Sequence, residues 1–228
     1  MANKKPHKKP HKNRRINKKQ KQLAKRYLLA AALIAVVFLL LLGFLWRREK
    51  NQKSEEDTSI SQEGEPDIDV QLLTVNEYSR PGIALKQVNG IVIHYTANPG
   101  STAQDNRNYF ENLKDSHQTK VSSHFVIGLD GEIIQCIPSS EISYASNDRN
   151  TDTISIECCH PDETGKFDDA TYQSLLKLTA FLCRKFSLSS EDVIRHYDIT
   201  GKNCPKYFVE HEDAWTEFLA EVNDNLNS

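Results

Sequence analysis

The chain has 228 residues, with 29 Lys or Arg against 31 Asp or Glu and 38% hydrophobic residues, which leaves room for one domain of ordinary size plus extensions. Its net charge of −2 hides two unlike segments, because residues 1–26 carry twelve of the basic residues and no acid. That basic tail has no interleaved aromatic residues, so membrane topology and attraction to anionic lipid account for it, and no nucleic-acid partner is expected.

Tyr27 to Trp46 (YLLAAALIAVVFLLLLGFLW) runs for twenty residues without a charge, an amide or a proline. At about 1.5 Å per residue it makes a helix of roughly 30 Å, long enough to cross a hydrocarbon core. The apolar part of a cleavable signal peptide is shorter, about 7–15 residues, and ends in small residues. This run closes instead on Phe44-Leu45-Trp46 before Arg47, and so reads as a retained transmembrane helix. Twelve positive charges precede it and four follow (Arg47, Arg48, Lys50, Lys53). The excess marks residues 1–26 as cytoplasmic and sends the remainder to the outer face of the cell membrane as a single-pass protein. Residues 47–69, above all 49–66, are polar and charged and read as a flexible tether. The folded domain is expected over residues 70–228.

Val88–Thr96 is rich in β-branched residues and predicts a buried strand that ends at the turn Asn98-Pro99-Gly100. Ser101 or Thr102 then caps a helix to about residue 114, with Tyr109, Phe110 and Leu113 on one face. Ser122–Leu129 and Glu132–Ile137 flank Asp130-Gly131, a hairpin signature. Thr153–Cys159 predicts another strand. Asp168 or Asp169 opens an amphipathic helix to about Phe186, with Tyr172, Leu175, Leu176, Thr179 and Leu182 along its stripe. A short strand at Asp192–Tyr197 and a helix over about 209–226 complete the chain. The fold class is α/β, a mixed sheet flanked by helices, preceded by the one N-terminal transmembrane helix. Five cysteines (Cys136, Cys158, Cys159, Cys183, Cys204) form no C-x-x-C pair. If Cys204 binds metal, the other four leave one or two disulfides open for an exported domain. Cys158 and Cys159, neighbours on a strand, face opposite ways.

The chemistry concentrates in Arg195-His196-Tyr197-Asp198-Ile199-Thr200-Gly201-Lys202-Asn203-Cys204-Pro205 and in His94, which ends the apolar run Ile91-Val92-Ile93. Alone, each histidine reads as a hydrogen-bonded core residue and Cys204 as a small buried hydrophobe. Together, two imidazoles and one thiolate make the three-ligand shell of a catalytic zinc, whose fourth position is left to water. Lys202 puts a cation beside that shell, which suits a catalytic better than a structural site. No H-E-x-x-H occurs, so the helical metalloprotease arrangement is excluded. Glu157 lies within an apolar strand, where a carboxylate is costly unless paired or functional. Near a metal it would serve as a general base.

IVIHYT, SSHFVIGLDG, SIECC and above all RHYDITGKNCP resemble the zinc amidases of the N-acetylmuramoyl-L-alanine amidase type 2 family, relatives of phage lysozyme-type amidases and peptidoglycan recognition proteins. The resemblance covers about residues 80–205. It implies an amidase/peptidoglycan-recognition-like fold, Zn2+ on His94, His196 and Cys204, an acidic catalytic residue at Glu157 and an oxyanion-stabilising lysine at Lys202. Some members carry a tyrosine where this chain has Ser123, which argues against a tyrosine-assisted mechanism and gives weight to Glu157. His124 either lines the substrate groove or holds the site together by hydrogen bonding. Thr96 and Asn98 are further candidates for substrate contact. The implied partners are peptidoglycan and, through the N-terminal helix, membrane lipid. The implied activity is cleavage of the amide between N-acetylmuramic acid and L-alanine. The rival readings are a non-catalytic peptidoglycan-binding module and a zinc peptidase acting within the stem peptide.

Overall fold

The β-branched runs read from the sequence become the middle of one six-stranded sheet. A computed structural model describes residues 25–26 and 65–227, and residues 62–228 form a unit of their own. In chain order the unit contains β1 (Ile68–Val70), β2 (Gly90–Tyr95), α1 (Ala103–Ser116), β3 (Phe125–Ile127), β4 (Ile133–Gln135), a 3-10 turn (Asn147–Thr151), β5 (Thr153–Cys158) and α2 (Asp169–Phe186). A second 3-10 turn (Ser190–Asp192), β6 (Val193–Arg195), α3 (His196–Thr200), α4 (Lys206–Glu210) and α5 (Glu212–Asn227) follow. The strand order is β1-β4-β3-β5-β2-β6. Only the β3–β4 hairpin is antiparallel; the other neighbours run parallel. The expected mixed α/β sheet with flanking helices is therefore present.

Strand alternation divides the core. Ile91, Ile93, Ile154, Ile156 and Cys158 face α2 and α5, where Leu175, Leu178, Leu182, Trp215 and Phe218 complete the larger cluster. Val126, Ile134 and Cys159 face the other way, onto Ala103 and Phe110 of α1. On that second face the centre of the sheet is not apolar. Ser155 and Glu157 of β5 and His94 of β2 occupy it, because they alternate with the isoleucines of the larger cluster.

Several elements differ from the sequence reading. β1 begins at Ile68, inside the segment read as tether, because Ile68–Val70 pairs in parallel with Ile133–Gln135. The expected strand 192–197 stops at Arg195, and His196 and Tyr197 open α3 instead. Asp198 causes the change: its carboxylate accepts from the Arg195 backbone N–H at 2.8 Å, and Gly201 in the left-handed region (φ 74) ends the short helix. The expected final helix is two helices, because His211 breaks from helical geometry. Tyr109 is 47% exposed, whereas Phe110 and Leu113 are buried, so the α1 stripe is narrower than expected. Thr102, not Ser101, caps α1, in a reciprocal capping box with Asp105. Gly131 takes φ 83 in the hairpin turn, and a Cβ there would lie 2.8 Å from the Ala170 carbonyl oxygen. All five cysteines are free and buried, so the disulfides left open for Cys136, Cys158, Cys159 and Cys183 are not formed. Among the described residues no helix is long and apolar enough to cross a membrane. The span expected at 27–46, with most of the basic tail and the tether, lies outside the described residues.

Glu111 ties α1 to the segment after β1 by accepting from the Thr74 backbone N–H at 3.0 Å and hydroxyl at 2.7 Å. Burial raises its pKa, but hydrogen bonds from Lys114 and Thr74 outweigh that and hold it at about 2. A carboxyl depressed in the folded state stabilises above its unfolded pKa and loses that contribution as pH falls through the folded one. Glu111→Gln should therefore cost about 1–2 kcal/mol at pH 7, allowing for solvent screening. The difference in urea midpoint from wild type should shrink as pH approaches 2; a constant difference would count against the ion-pair account.

Candidate metal centre

Parallel register brings the chemistry together. His94 is the Cα partner of Glu157, and Ile93 is the partner of Arg195. The next residue after Arg195, His196, therefore arrives beside His94 at the carboxyl ends of adjacent strands. In open α/β sheets ligands bind at that edge. Cys204 completes the group by way of a folded-back loop. The Tyr197 N–H donates to the Cys204 carbonyl at 2.8 Å, and the Cys204 N–H donates to the Lys202 carbonyl at 2.7 Å.

The ligand atoms of His94, His196 and Cys204 all lie within 4.8 Å of one another, and all three residues are buried. The two imidazole centroids are 4.7 Å apart with planes tilted by 57°. His94 Nδ1 lies 3.8 Å from Cys204 Sγ, and its Nε2 lies 3.2 Å from Ser146 Oγ. His196 Nε2 lies 2.8 Å from Asn147 Oδ1. Its Nδ1 is buried and has no hydrogen-bond partner. A buried ring nitrogen without a partner is uncommon and asks for a reason. A cation shared with His94 and Cys204 supplies one, and two imidazoles with a thiol form a donor set suited to zinc.

The electrostatics favour the same occupant. Burial, with the neighbouring His196 and Lys202 charges, holds His94 well below the ordinary histidine pKa. Burial and then Lys202 lower His196 as well. Both imidazoles are thus neutral, the form a metal requires. Burial, then Glu157, pushes the Cys204 thiol up to about 12, against Lys202; a metal cation would be what ionises it. Glu157 carries a buried Oε2 with no partner, and burial lifts its carboxyl to about 8 while the Lys202 ammonium opposes the rise. Thr96 Oγ1 and His160 Nε2 are also buried without partners. Of the five such side-chain atoms among the described residues, four therefore lie at or just beyond the ends of β2, β5 and β6.

The family model for N-acetylmuramoyl-L-alanine amidase matches residues 84–207. The chain belongs to that family. Among curated relatives, N-acetylmuramoyl-L-alanine amidase CwlL of Bacillus licheniformis is 35% identical over 167 residues, covering 68% of this chain and 46% of that protein. N-acetylmuramoyl-L-alanine amidase BlyA of Bacillus subtilis (strain 168) is 33% identical over 176 residues, with the same two shares. The chain thus spans about half the length of these relatives. The solved catalytic domain of XlyA is 27% identical with a TM-score of 0.59, covering 69% of this chain and 99% of that one. A mutant endolysin from Bacillus subtilis is 29% identical with a TM-score of 0.58, covering 68% of this chain and 98% of that one.

Within this amidase-family domain the other expected site residues divide. Lys202 is exposed on the loop before Cys204, and its charge bears on His94, His196, Glu157 and Cys204. Thr96 follows β2 on the His94 face, and its N–H donates to the Cys158 carbonyl at 3.0 Å. Asn98 sits in the exposed turn beyond, where its carbonyl accepts from the Ser101 hydroxyl at 2.8 Å. His124 is corrected as a substrate contact. It is fully buried, its Nδ1 accepts from the Ser155 N–H at 3.0 Å, and its Nε2 donates to the Glu141 carbonyl at 2.8 Å. Both ring nitrogens are committed inside the protein, so His124 belongs to the scaffold.

Sequence reasoning missed Ser146, Asn147, His160 and Arg195. Arg195 is 6% exposed; it pairs with Asp198 at 2.9 Å and Glu212 at 2.6 Å and donates to the Phe208 carbonyl at 3.0 Å. Its guanidinium also lies 5.4 Å from the Tyr197 ring and 5.2 Å from the Trp215 ring. It joins α3, α4 and α5 directly beside His196. The Arg195-x-x-Asp198 spacing was the available signal, since it is the spacing of a helix cap.

The raised Glu157 pKa carries a stability consequence for the metal-free protein. Between about pH 4.5 and 8 the unfolded chain gives up this proton while the folded one keeps it, so stability from this group falls as pH rises. Metal-free Glu157→Gln should gain on wild type in urea midpoint between pH 5 and pH 8. A pH-independent difference would show that the carboxyl is not held neutral.

Proposed function

We propose that this chain is a zinc-dependent cell-wall hydrolase that cleaves the amide between the lactyl group of N-acetylmuramic acid and L-alanine in peptidoglycan. The observation that carries the reading is the convergence of the His94, His196 and Cys204 donor atoms, with a bare His196 Nδ1, beside the unpartnered carboxyl of Glu157. Membership of the amidase family and the names of its relatives support the bond that is cut.

His94, His196 and Cys204 would hold the zinc. When bound, the ion supplies Lewis acidity, lowering the pKa of water from about 15.7 towards roughly 7 and polarising the scissile carbonyl. Glu157, on the strand next to His94, takes a proton from the attacking water as the oxygen adds to the carbonyl carbon. It returns that proton to the alanine nitrogen as the carbon–nitrogen bond breaks. Its elevated metal-free pKa suits the proton-donating half of this cycle, and Lys202 together with a bound cation draws it back towards the carboxylate needed for the first half. The Lys202 ammonium, on the loop before Cys204, faces the negative charge that develops on the carbonyl oxygen. Thr96 and Asn98 would contact the substrate at the mouth of the site. The twenty-residue apolar run and its basic flank would anchor this domain to the outer face of the cell membrane, with residues 47–69 as the tether.

Digestion of purified sacculi, followed by mass analysis, tests the reaction. Wild type should release stem peptides beginning with free L-alanine from intact glycan, and a chelator should abolish release until zinc is restored. Products cut inside the stem would identify a peptidase instead, and no products at all would favour a binding module. Glu157→Gln should retain zinc while release slows by about 10²–10⁴-fold. Lys202→Met should slow it by roughly 10²–10³-fold. Near-normal release by Glu157→Gln would remove that residue from the mechanism.

A further inference from the structure

We propose that segment 141–150 is a positioning clamp for the metal centre, in which Asn147 and Ser146 hold the Nε2 atoms of His196 and His94, and Asn147 thereby selects Nδ1 as the ligating atom of His196. The proposal rests on the zinc reading above and assigns roles to residues outside the metal ligands, Glu157 and Lys202.

The two imidazoles are approached from one side by consecutive residues. Asn147 Oδ1 lies 2.8 Å from His196 Nε2, and Ser146 Oγ lies 3.2 Å from His94 Nε2. An amide oxygen can only accept, so His196 carries its hydrogen on Nε2 and keeps a lone pair on Nδ1. That Nδ1 is the buried atom without a partner, and His94 Nδ1 is the atom turned to Cys204 Sγ. An outer hydrogen bond to the far nitrogen fixes the tautomer and the ring orientation of a metal-binding histidine.

The backbone is shaped for this purpose. Asn147 has φ 52, in the left-handed region, where a side chain costs about 1–2 kcal/mol unless it is Gly, Asn or Asp. The preceding N–H groups of Ala145 and Ser146 both donate to Asn150 Oδ1, at 3.0 and 2.6 Å. This side chain folds the segment so that residues 146 and 147 both reach the histidines.

The clamp is in turn fastened to the sheet by polar contacts that have discrete geometry. Ser143 Oγ lies 2.9 Å from Ser155 Oγ, and His124 bridges the Ser155 N–H to the Glu141 carbonyl. Ser143, Ser155 and His124 are each no more than 1% exposed. Buried hydroxyls and imidazoles are costly unless bonded, but once satisfied they admit far fewer arrangements than apolar packing. Ser155 stands two residues before Glu157 on the same face of β5, so the clamp and the candidate base share one strand as reference. The buried His124, which does not face substrate, finds its purpose here.

Asn147→Gly is the discriminating variant, because glycine accepts the left-handed backbone while the acceptor is deleted. Asn147→Asp is its partner, because it retains an acceptor oxygen at the same reach. Metal-free proteins should be titrated with zinc against a chromophoric chelator, their cobalt(II) absorption spectra recorded, and their metal-free unfolding midpoints compared. Asn147→Gly should bind zinc about 10–100-fold more weakly than wild type and show a shifted cobalt spectrum, while still unfolding in one cooperative metal-free transition. Asn147→Asp should recover affinity to within a few-fold of wild type. Wild-type zinc affinity and cobalt spectrum in Asn147→Gly would overturn the clamp alone. An Asn147→Asp variant that folds but binds no better than the glycine variant would do the same. A wild-type protein that takes up no zinc would overturn both the clamp and the zinc reading.

Discussion

The parallel register of β5, β2 and β6 is the constraint on which the site depends. Pairing Ile93 with Ile156 and with Arg195 sets Glu157 and His94 at one level on adjacent strands and brings His196, the first residue after β6, beside them. In a parallel ladder a slip of one residue sends every side chain to the opposite face. Here such a slip would drive the Glu157 carboxyl and the His94 imidazole into the cluster formed with α2 and α5. The isoleucines that alternate with the polar residues therefore do two jobs. They fill the larger core, and by doing so they hold the chemical groups in register on the other face.

Burial then sets the chemical state of each group. Desolvation keeps both histidines neutral, keeps Cys204 as a thiol and keeps Glu157 protonated in the metal-free protein. These are the forms in which a charge-poor cavity is tolerable. Arrival of a cation reverses the preference for the thiol and the carboxyl, because opposite charge favours their ionised forms. Lys202 pulls both acids in that direction already, from an exposed loop where its own charge remains hydrated. Under the proposed zinc reading, binding a metal and preparing Glu157 as the base would be linked.

The share of this that was legible in the sequence follows from how local each signal is. Alternation in IVIHYT and TISIECC identified two strands and the faces of His94 and Glu157, because side-chain direction in a strand depends only on parity. The helix starts at 101–102 and 168–169 and the turn at Asp130-Gly131 are contained within a few residues and were equally readable, although the structure was needed to choose Thr102 and Asp168 as the caps. The start of α3 was missed because the Asp198 carboxylate competes with strand continuation, and the apolar run before it masked that competition. β1 was missed because three residues in a polar neighbourhood carry almost no periodic signal; their pairing with β4 depends on a partner more than sixty residues away. Ser146, Asn147 and His124 form a related case. Their significance lies in contacts with His94, His196 and Ser155, each more than thirty residues distant in sequence.

By itself, then, the amino-acid order determined the residue types of the site, the strands that carry His94 and Glu157, and the resemblance that names the family. These rest on spacing along the chain, which short segments specify completely. Only the tertiary structure decided that His196 Nδ1 is left bare, that His124 supports the site from within, and that the spare cysteines remain unpaired thiols. Those outcomes depend on which groups meet after distant segments pack, and a buried polar atom takes its role from the partner it finds there or from the lack of one.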